Sequence, residues 1–127
     1  MNSKDEIEKL SNDLKECSKL LTAFGDETRQ YLILEMMKLN NCTGVRVLQI
    51  TEKTNLSRPA ISHHLQILKN AGIIKMRKEG TKNYYYFQPD VDSFEKLIST
   101  LTLALKLSNS HPDRTKNKII NIKNGGK

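Results

Sequence analysis

Arg58, Ser62, His63 and Gln66 fall within nine residues, at a spacing that an α-helix gathers onto one face. Pro59 and Lys69 lie along the same face, and Ile61, Leu65 and Leu68 recur on the opposite one. A guanidinium, a hydroxyl, an imidazole and a carboxamide side by side are hydrogen-bonding groups suited to polar edges and phosphates. Arg77, Lys78 and Lys82 follow at once in a short basic segment. Chemistry of another kind rests on two thiols, Cys17 and Cys42. There is no Gly-rich phosphate loop, no paired-carboxylate cleft pattern, and no activated Ser or Cys next to a base, so the chain is not expected to be an enzyme.

The elements that must position these groups are readable. Ser57 is an N-cap residue and Pro59 sits in the first turn, where its missing N–H costs nothing, so a helix starts after Ser57. Gly72 closes it. Ile73–Arg77 and Asn83–Phe87 read as two strands joined by residues 78–82, with Gly80 at the turn position that needs positive φ. A helix followed by a basic hairpin is the layout of a winged helix-turn-helix, in which the helix enters the major groove and the hairpin touches phosphates or the minor groove. Upstream, Val47–Thr54 supplies the first helix of that unit and Asn55-Leu56 its turn.

On either side lie three further helical stretches, two before and one after. Ile7, Leu10, Leu14, Cys17, Leu21 and Phe24 form a coiled-coil-like stripe that ends at Gly25. Asp26 then caps a helix whose apolar positions are Tyr31, Leu32, Leu34, Met36 and Leu39, expected to be mostly buried. Residues 40–44 are a loop by composition. Asp92-Ser93-Phe94-Glu95 has capping-box spacing and opens a last helix with Phe94, Leu97, Ile98, Leu101 and Leu105 on one face. The first and last helices carry more apolar surface than one small domain needs, which points to a symmetric homodimer built through them.

The bulk numbers agree. With 127 residues the chain fits one domain, residues 1–107, followed by a basic tail, 108–127, expected to be flexible. The formal charge of +7 is unevenly spread. Residues 1–27 hold four Lys against seven carboxylates, whereas residues 58–87 hold six Lys or Arg against Glu79 alone, which fits one polyanion-facing surface. With no apolar run of membrane-spanning length and no signal-peptide pattern, a cytoplasmic protein is expected, without a membrane partner, and two cysteines there do not make a disulfide framework.

The blocks Asp26-Glu27-Thr28-Arg29, Leu56 to Leu65, Ala71-Gly72-Ile73-Ile74, Arg77-Lys78-Glu79-Gly80 and Tyr84-Tyr85-Tyr86 occur in order between residues 20 and 107. In this the chain resembles the ArsR/SmtB family of bacterial repressors. The resemblance implies a mainly helical α-α-α-α-β-β-α winged helix-turn-helix fold, dimeric through the first and last helices. It also implies a transcriptional repressor released from a palindromic operator in double-stranded DNA by an effector that the sequence does not name.

The family's base-reading positions fall on Arg58, Pro59, Ser62 and His63. Arg58 suits bidentate pairing with a guanine edge, Ser62 and His63 suit base or phosphate acceptors, and Pro59 suits a thymine methyl. With Ser57, Gln66, Lys69 and the wing residues Arg77, Lys78 and Lys82 they make up the expected DNA-contacting set. His64, beside Leu65, is expected to bond within the protein instead.

The metal sites of relatives are not expected here. Arg46 and Leu48 stand where one branch has a Cys-x-Cys, and Asp90, Asp92, Leu103 and Lys106 stand where another has its ligands, so no soft or tetrahedral set remains and no cofactor is implied. Cys17 and Cys42 stay open between inert thiols and a metalloid or redox sensor. A non-specific architectural nucleic-acid-binding protein is the remaining alternative.

Overall fold

The computed structural model describes residues 3–39 and 44–109. Cys42 and the tail from residue 110 onward, on which two of the expectations above rest, lie outside the described residues. Among those residues the order is α1 (Ser3–Glu16), α2 (Ser18–Phe24), α3 (Glu27–Leu39), α4 (Val47–Thr51), α5 (Arg58–Asn70), β1 (Ile74–Glu79), β2 (Lys82–Phe87) and α6 (Val91–Asn109). The expected mainly helical fold with one hairpin is therefore present.

The first helix departs from expectation by dividing at Cys17. There the Cys17 N–H is shared between the carbonyls of Asp13 and Leu14, at 3.1 and 3.2 Å, which tightens the turn to 3₁₀ type. The break lets α1 lie along α6 while α2 packs on α3 and α5. The two halves of one stripe in the sequence thus serve different neighbours.

Helix α3 begins as expected, with Asp26 Oδ1 accepting the Arg29 backbone N–H at 3.0 Å. Its buried face matches the expected one only in part, at Leu32 and Met36. Arg29, Leu32, Ile33 and Met36 are buried, whereas Tyr31 and Leu34 are exposed. The inward stripe obeys i, i+3, i+4, i+7 spacing but includes an arginine, so a pattern built from apolar residues alone falls out of phase.

Ile61, Leu65 and Leu68 of α5 are completely buried, and they pack with Leu20, Ala23, Leu32 and Ile50 from the preceding helices. α5 ends in a Schellman motif. Gly72 N–H donates to Lys69 O at 3.1 Å and Ile73 N–H to Leu68 O at 3.0 Å, with Gly72 at φ 79. The two apolar residues of the motif, Leu68 and Ile73, are both fully buried, so the helix end is also a packing contact.

The hairpin is antiparallel from Ile74↔Phe87 to Glu79↔Lys82, closing on a two-residue turn, Gly80-Thr81, with Gly80 at φ 62. Lys78 and Lys82 therefore stand on strands rather than in the expected five-residue loop. A third short segment, absent from the sequence reading, pairs with β2: Val45 exchanges both backbone hydrogen bonds with Tyr85, at 2.7 and 2.8 Å. Gly44 makes this possible, since a Cβ there would sit 2.7 Å from Tyr85 O.

α6 is capped by Asp90, two residues earlier than the expected Asp92. The Asp90 carboxylate accepts the Ser93 backbone N–H at 3.2 Å as well as the Ser93 hydroxyl, leaving Asp92 inside the first turn.

Candidate nucleic-acid interface

Packing fixes which side of α5 is left over. With Ile61, Leu65 and Leu68 turned inward, Arg58, Pro59, Ser62, His63 and Gln66 are exposed together on the outer side, and Lys69 at the last turn is half-buried. The start of this face is held by Ser57, whose Oγ accepts the Ala60 N–H at 3.2 Å. That bond occupies one acceptor position on Ser57 and leaves its hydroxyl hydrogen available as a donor. Farther along, Gln66 Nε2 donates to Asn70 Oδ1 at 2.9 Å, so the carboxamide is already oriented before any ligand arrives.

The wing supplies the second half of the surface. Lys78 and Lys82 are exposed, whereas Arg77 is half-buried. The Arg77 guanidinium lies 5.0 Å from the Tyr84 ring centroid, and its Nε donates to Glu79 Oε2 at 2.8 Å. An exposed pair of this kind contributes little to stability, and its effect here is to hold a cation flat against the strand. The structure thus brings the expected residues onto two adjoining elements, α5 and the hairpin, joined through Gly72 and Ile73.

Behind α5 lies a residue whose role sequence reasoning missed. Arg29 is only 8% exposed and bridges three elements. Its Nε donates to Ala23 O at 3.0 Å and its Nη2 to Thr22 O at 3.1 Å, both at the carbonyl end of α2. Its Nη1 meets His64 Nδ1 on α5 at 3.1 Å. A cation at a helix C-terminus is favoured by the helix dipole as well as by the bonds. The expectation that His64 bonds within the protein agrees with this contact. The signal available in the sequence was an arginine placed in register with Leu32, Ile33 and Met36.

Nearby carboxylates are tuned by the same contacts. The Arg29 backbone N–H, and more weakly the Arg29 charge, hold the Asp26 carboxyl below the usual carboxylate value. The Ser93 hydroxyl and backbone N–H do the same for Asp90. Both carboxylates are committed to helix starts.

Cys17 is buried, with its Sγ 3.8 Å from Thr100 Oγ1 on α6. Among the described residues no group of three or more His, Cys, Asp or Glu is placed to hold a metal ion. No helix among them is long and apolar enough to cross a membrane.

A buried three-helix support, an exposed polar helix face and an adjoining basic hairpin define a DNA-binding winged helix-turn-helix regulator. The comparisons narrow the class. Residues 26–76 match the model of the bacterial regulatory proteins of the arsR family. An uncharacterized HTH-type transcriptional regulator of Methanocaldococcus jannaschii is 42% identical over 88 residues, covering 68% of this chain and 96% of the relative. The transcriptional repressor SdpR of Bacillus subtilis is 41% identical over 63 residues, covering 50% of this chain and 66% of that repressor. In fold, an ArsR-like transcriptional regulator from Rhodococcus sp. RHA1 superposes with a TM-score of 0.64 at 22% identity, covering 91% of this chain and 96% of its own. The chain belongs to the arsR family of bacterial regulatory proteins.

Proposed function

We propose that the protein is a homodimeric, sequence-specific repressor that occupies an imperfect palindrome near its own promoter or that of a neighbouring transport or detoxification gene, and that it works in the cytoplasm without catalytic activity. Arg58, Pro59, Ser62 and His63 read base edges, with Arg58 on a guanine. Ser57, Gln66, Lys69, Arg77, Lys78 and Lys82 position the protein through phosphate, groove or supporting contacts. The observation that carries this reading is the separation of α5 into a fully buried apolar face and a contiguous polar one beside a basic wing.

The dimer is supported by apolar side chains left uncovered on α1 and α6. Ile98, Leu101 and Leu105 are 62%, 52% and 64% exposed, and Ile7, Leu14 and Leu21 are exposed on the neighbouring N-terminal helices. Pairing such faces about a two-fold axis would set two recognition helices on the order of 34 Å apart, one turn of DNA. An effector would then act by shifting the dimer away from that spacing. The burial of Cys17 fits an inert thiol better than a sensor pairing with Cys42.

The test is fluorescence-anisotropy binding to the DNA upstream of the protein's own gene, against a scrambled duplex, at near-physiological salt. A preference of about 10³ or more, at one dimer per site, is expected. Equal binding to both duplexes would leave a non-specific architectural role in its place.

A further inference from the structure

Between the α1–α2 corner, the end of α5 and the first turn of α6 lies a hollow of about 370 Å³, at the small end of the range for metabolite pockets. Cys17, Leu20 and Ala71 supply its apolar wall. Much of its polar lining is already committed. Glu16 pairs with Lys96 at 3.4 Å, and the Ser93 hydroxyl donates to the Asp90 carboxylate. Asn70 Oδ1 accepts from Gln66 Nε2, which leaves the Asn70 amide hydrogens as donors. Lys19 and Asp92 are exposed, and their charged groups have no hydrogen-bond or ion-pair partner among the described residues.

An ammonium, an amide donor and a carboxylate are therefore left over around one hollow, the complement of a molecule that carries both a carboxylate and an ammonium. A second hollow, of about 310 Å³, lies between α2 and α5 and shares Lys19, Asn70 and Ala71 with the first. It adds no charged group to Lys19, and Ile67 joins Ala71 as its apolar side. We propose that the two hollows form one effector site for a small zwitterion of the amino-acid class. Its carboxylate lies on Lys19 and the Asn70 amide, its ammonium on Asp92, and an apolar side chain against Ile67 and Ala71.

The walls of the site explain how occupancy reaches DNA. Ile67 and Asn70 belong to α5, Lys19 belongs to α2, and Asp92 belongs to α6, which packs on α1. A ligand that bridges them touches the recognition helix and the proposed pairing side at once. It binds one setting of α5 better than another and shifts the population toward it. DNA and ligand then change each other's affinity by the same factor. This effect on DNA rests on the reading of α5 as the DNA-contacting helix, whereas the binding of the zwitterion does not.

The test begins with the full chain without DNA, titrated with L-leucine, L-methionine and L-phenylalanine and followed by amide ¹H–¹⁵N shifts. Isocaproate and isoamylamine serve as controls, since each keeps the leucine side chain with only one of its charges. At least one of the amino acids is expected to move the resonances of Lys19, Asn70 and Asp92, and neither control is expected to do so. Lys19→Met and Asp92→Asn change exposed side chains outside the caps at Ser57 and Asp90, so circular dichroism should stay native. Each is expected to weaken binding about tenfold or more, the scale of a lost charge-assisted hydrogen bond. Absence of binding by all three amino acids, equal binding of the controls, or binding unchanged in both variants overturns the proposal.

Anisotropy on the upstream duplex then measures the linkage. The amino acid that binds is expected to change the affinity for this duplex by about tenfold, and to leave it unchanged in Lys19→Met. A bound amino acid that leaves the affinity for a preferred duplex unaltered overturns the effector role. If the amino acid binds as expected but no duplex is preferred over a scrambled one, the assignment of α5 to DNA has failed, and the linkage fails with it while the ligand site stands.

Discussion

The two sides of this molecule are finished to different degrees. Around α5 the chain completes its own packing: Ile61, Leu65, Leu68 and Ile73 are fully buried, and the helix end is sealed by a glycine motif. Along α1 and α6 the polar contacts are made, and Phe94, Leu97 and Leu107 are packed, but several other apolar side chains are left uncovered. Lys96 bridges to Asp13 at 3.0 Å and Glu16 at 3.4 Å, while Leu101 and Leu105 on the same helix face solvent. The first region specifies a rigid shape for a rigid ligand. The second leaves apolar side chains uncovered, as the proposed pairing of α1 and α6 requires, so under the proposed function reading and pairing are divided by helix.

That division is broken most severely by charging the uncovered face. Leu101→Glu with Leu105→Glu is expected to yield a monomer in sedimentation with native circular dichroism. Its operator affinity is expected to drop by about 10³, because each half-site must then be bound alone. An unchanged dimer would remove the pairing role from α6. Leu65→Ala attacks the other region. A fully buried leucine in a core that cannot collapse should cost about 2–5 kcal/mol in chemical denaturation, and its effect on DNA affinity should follow from unfolding alone.

Within the DNA-facing region the contrast is between reading and positioning. Arg58→Ala is expected to cost about 1–3 kcal/mol on the preferred duplex and to relax selectivity at one base position. Lys82→Ala is expected to weaken all duplexes alike and to reduce the salt slope by about one ion. If both variants lose affinity uniformly across sequences, α5 is not the reading element. Competition titrations on single-base variants of the upstream duplex decide between these outcomes.

Much of this was legible in the residues, for identifiable reasons. The cap at Ser57, the stop at Gly72 and the positive-φ turn at Gly80 are local signals that the fold only had to accept. The misreadings share one cause, which is that tertiary contacts choose among locally acceptable options. Asp90 and Asp92 can each cap a helix, and Asp90 does because Ser93 lies within its reach. Tyr31 and Leu34 look like core residues, but the buried stripe of α3 runs through Arg29, whose partners on α2 and α5 are six and thirty-five residues away. The Val45–Tyr85 pairing joins segments forty residues apart through a single bridge, too short to leave a strand pattern. For the candidate site, the outward face of α5 follows directly from periodicity, whereas its support from Arg29 depends on distances that no spacing encodes.

The smallest expected effect tests the polar part of the unfinished side. Asp13 on α1 is buried, and its carboxylate meets Lys9 at 2.7 Å and Lys96 at 3.0 Å. These ammonium groups, Lys9 first, hold its carboxyl below the ordinary value of 3.8. A carboxyl lowered in the folded state stabilises the fold at pH above its unfolded value, and that contribution is lost as pH falls through the folded one. Neutral pH therefore retains the α1–α6 link, and strongly acid conditions remove it. Asp13→Asn is expected to lower the melting temperature modestly at pH 7, and the gap from the parent protein should close as the pH is taken below 3.8. Because Lys96 also reaches Glu16, part of the link survives the substitution, which keeps the effect small. A gap that persists unchanged into acid would show that Asp13 acts through packing rather than charge, and the polar half of the α1–α6 contact would then be incidental to holding the pairing face in place.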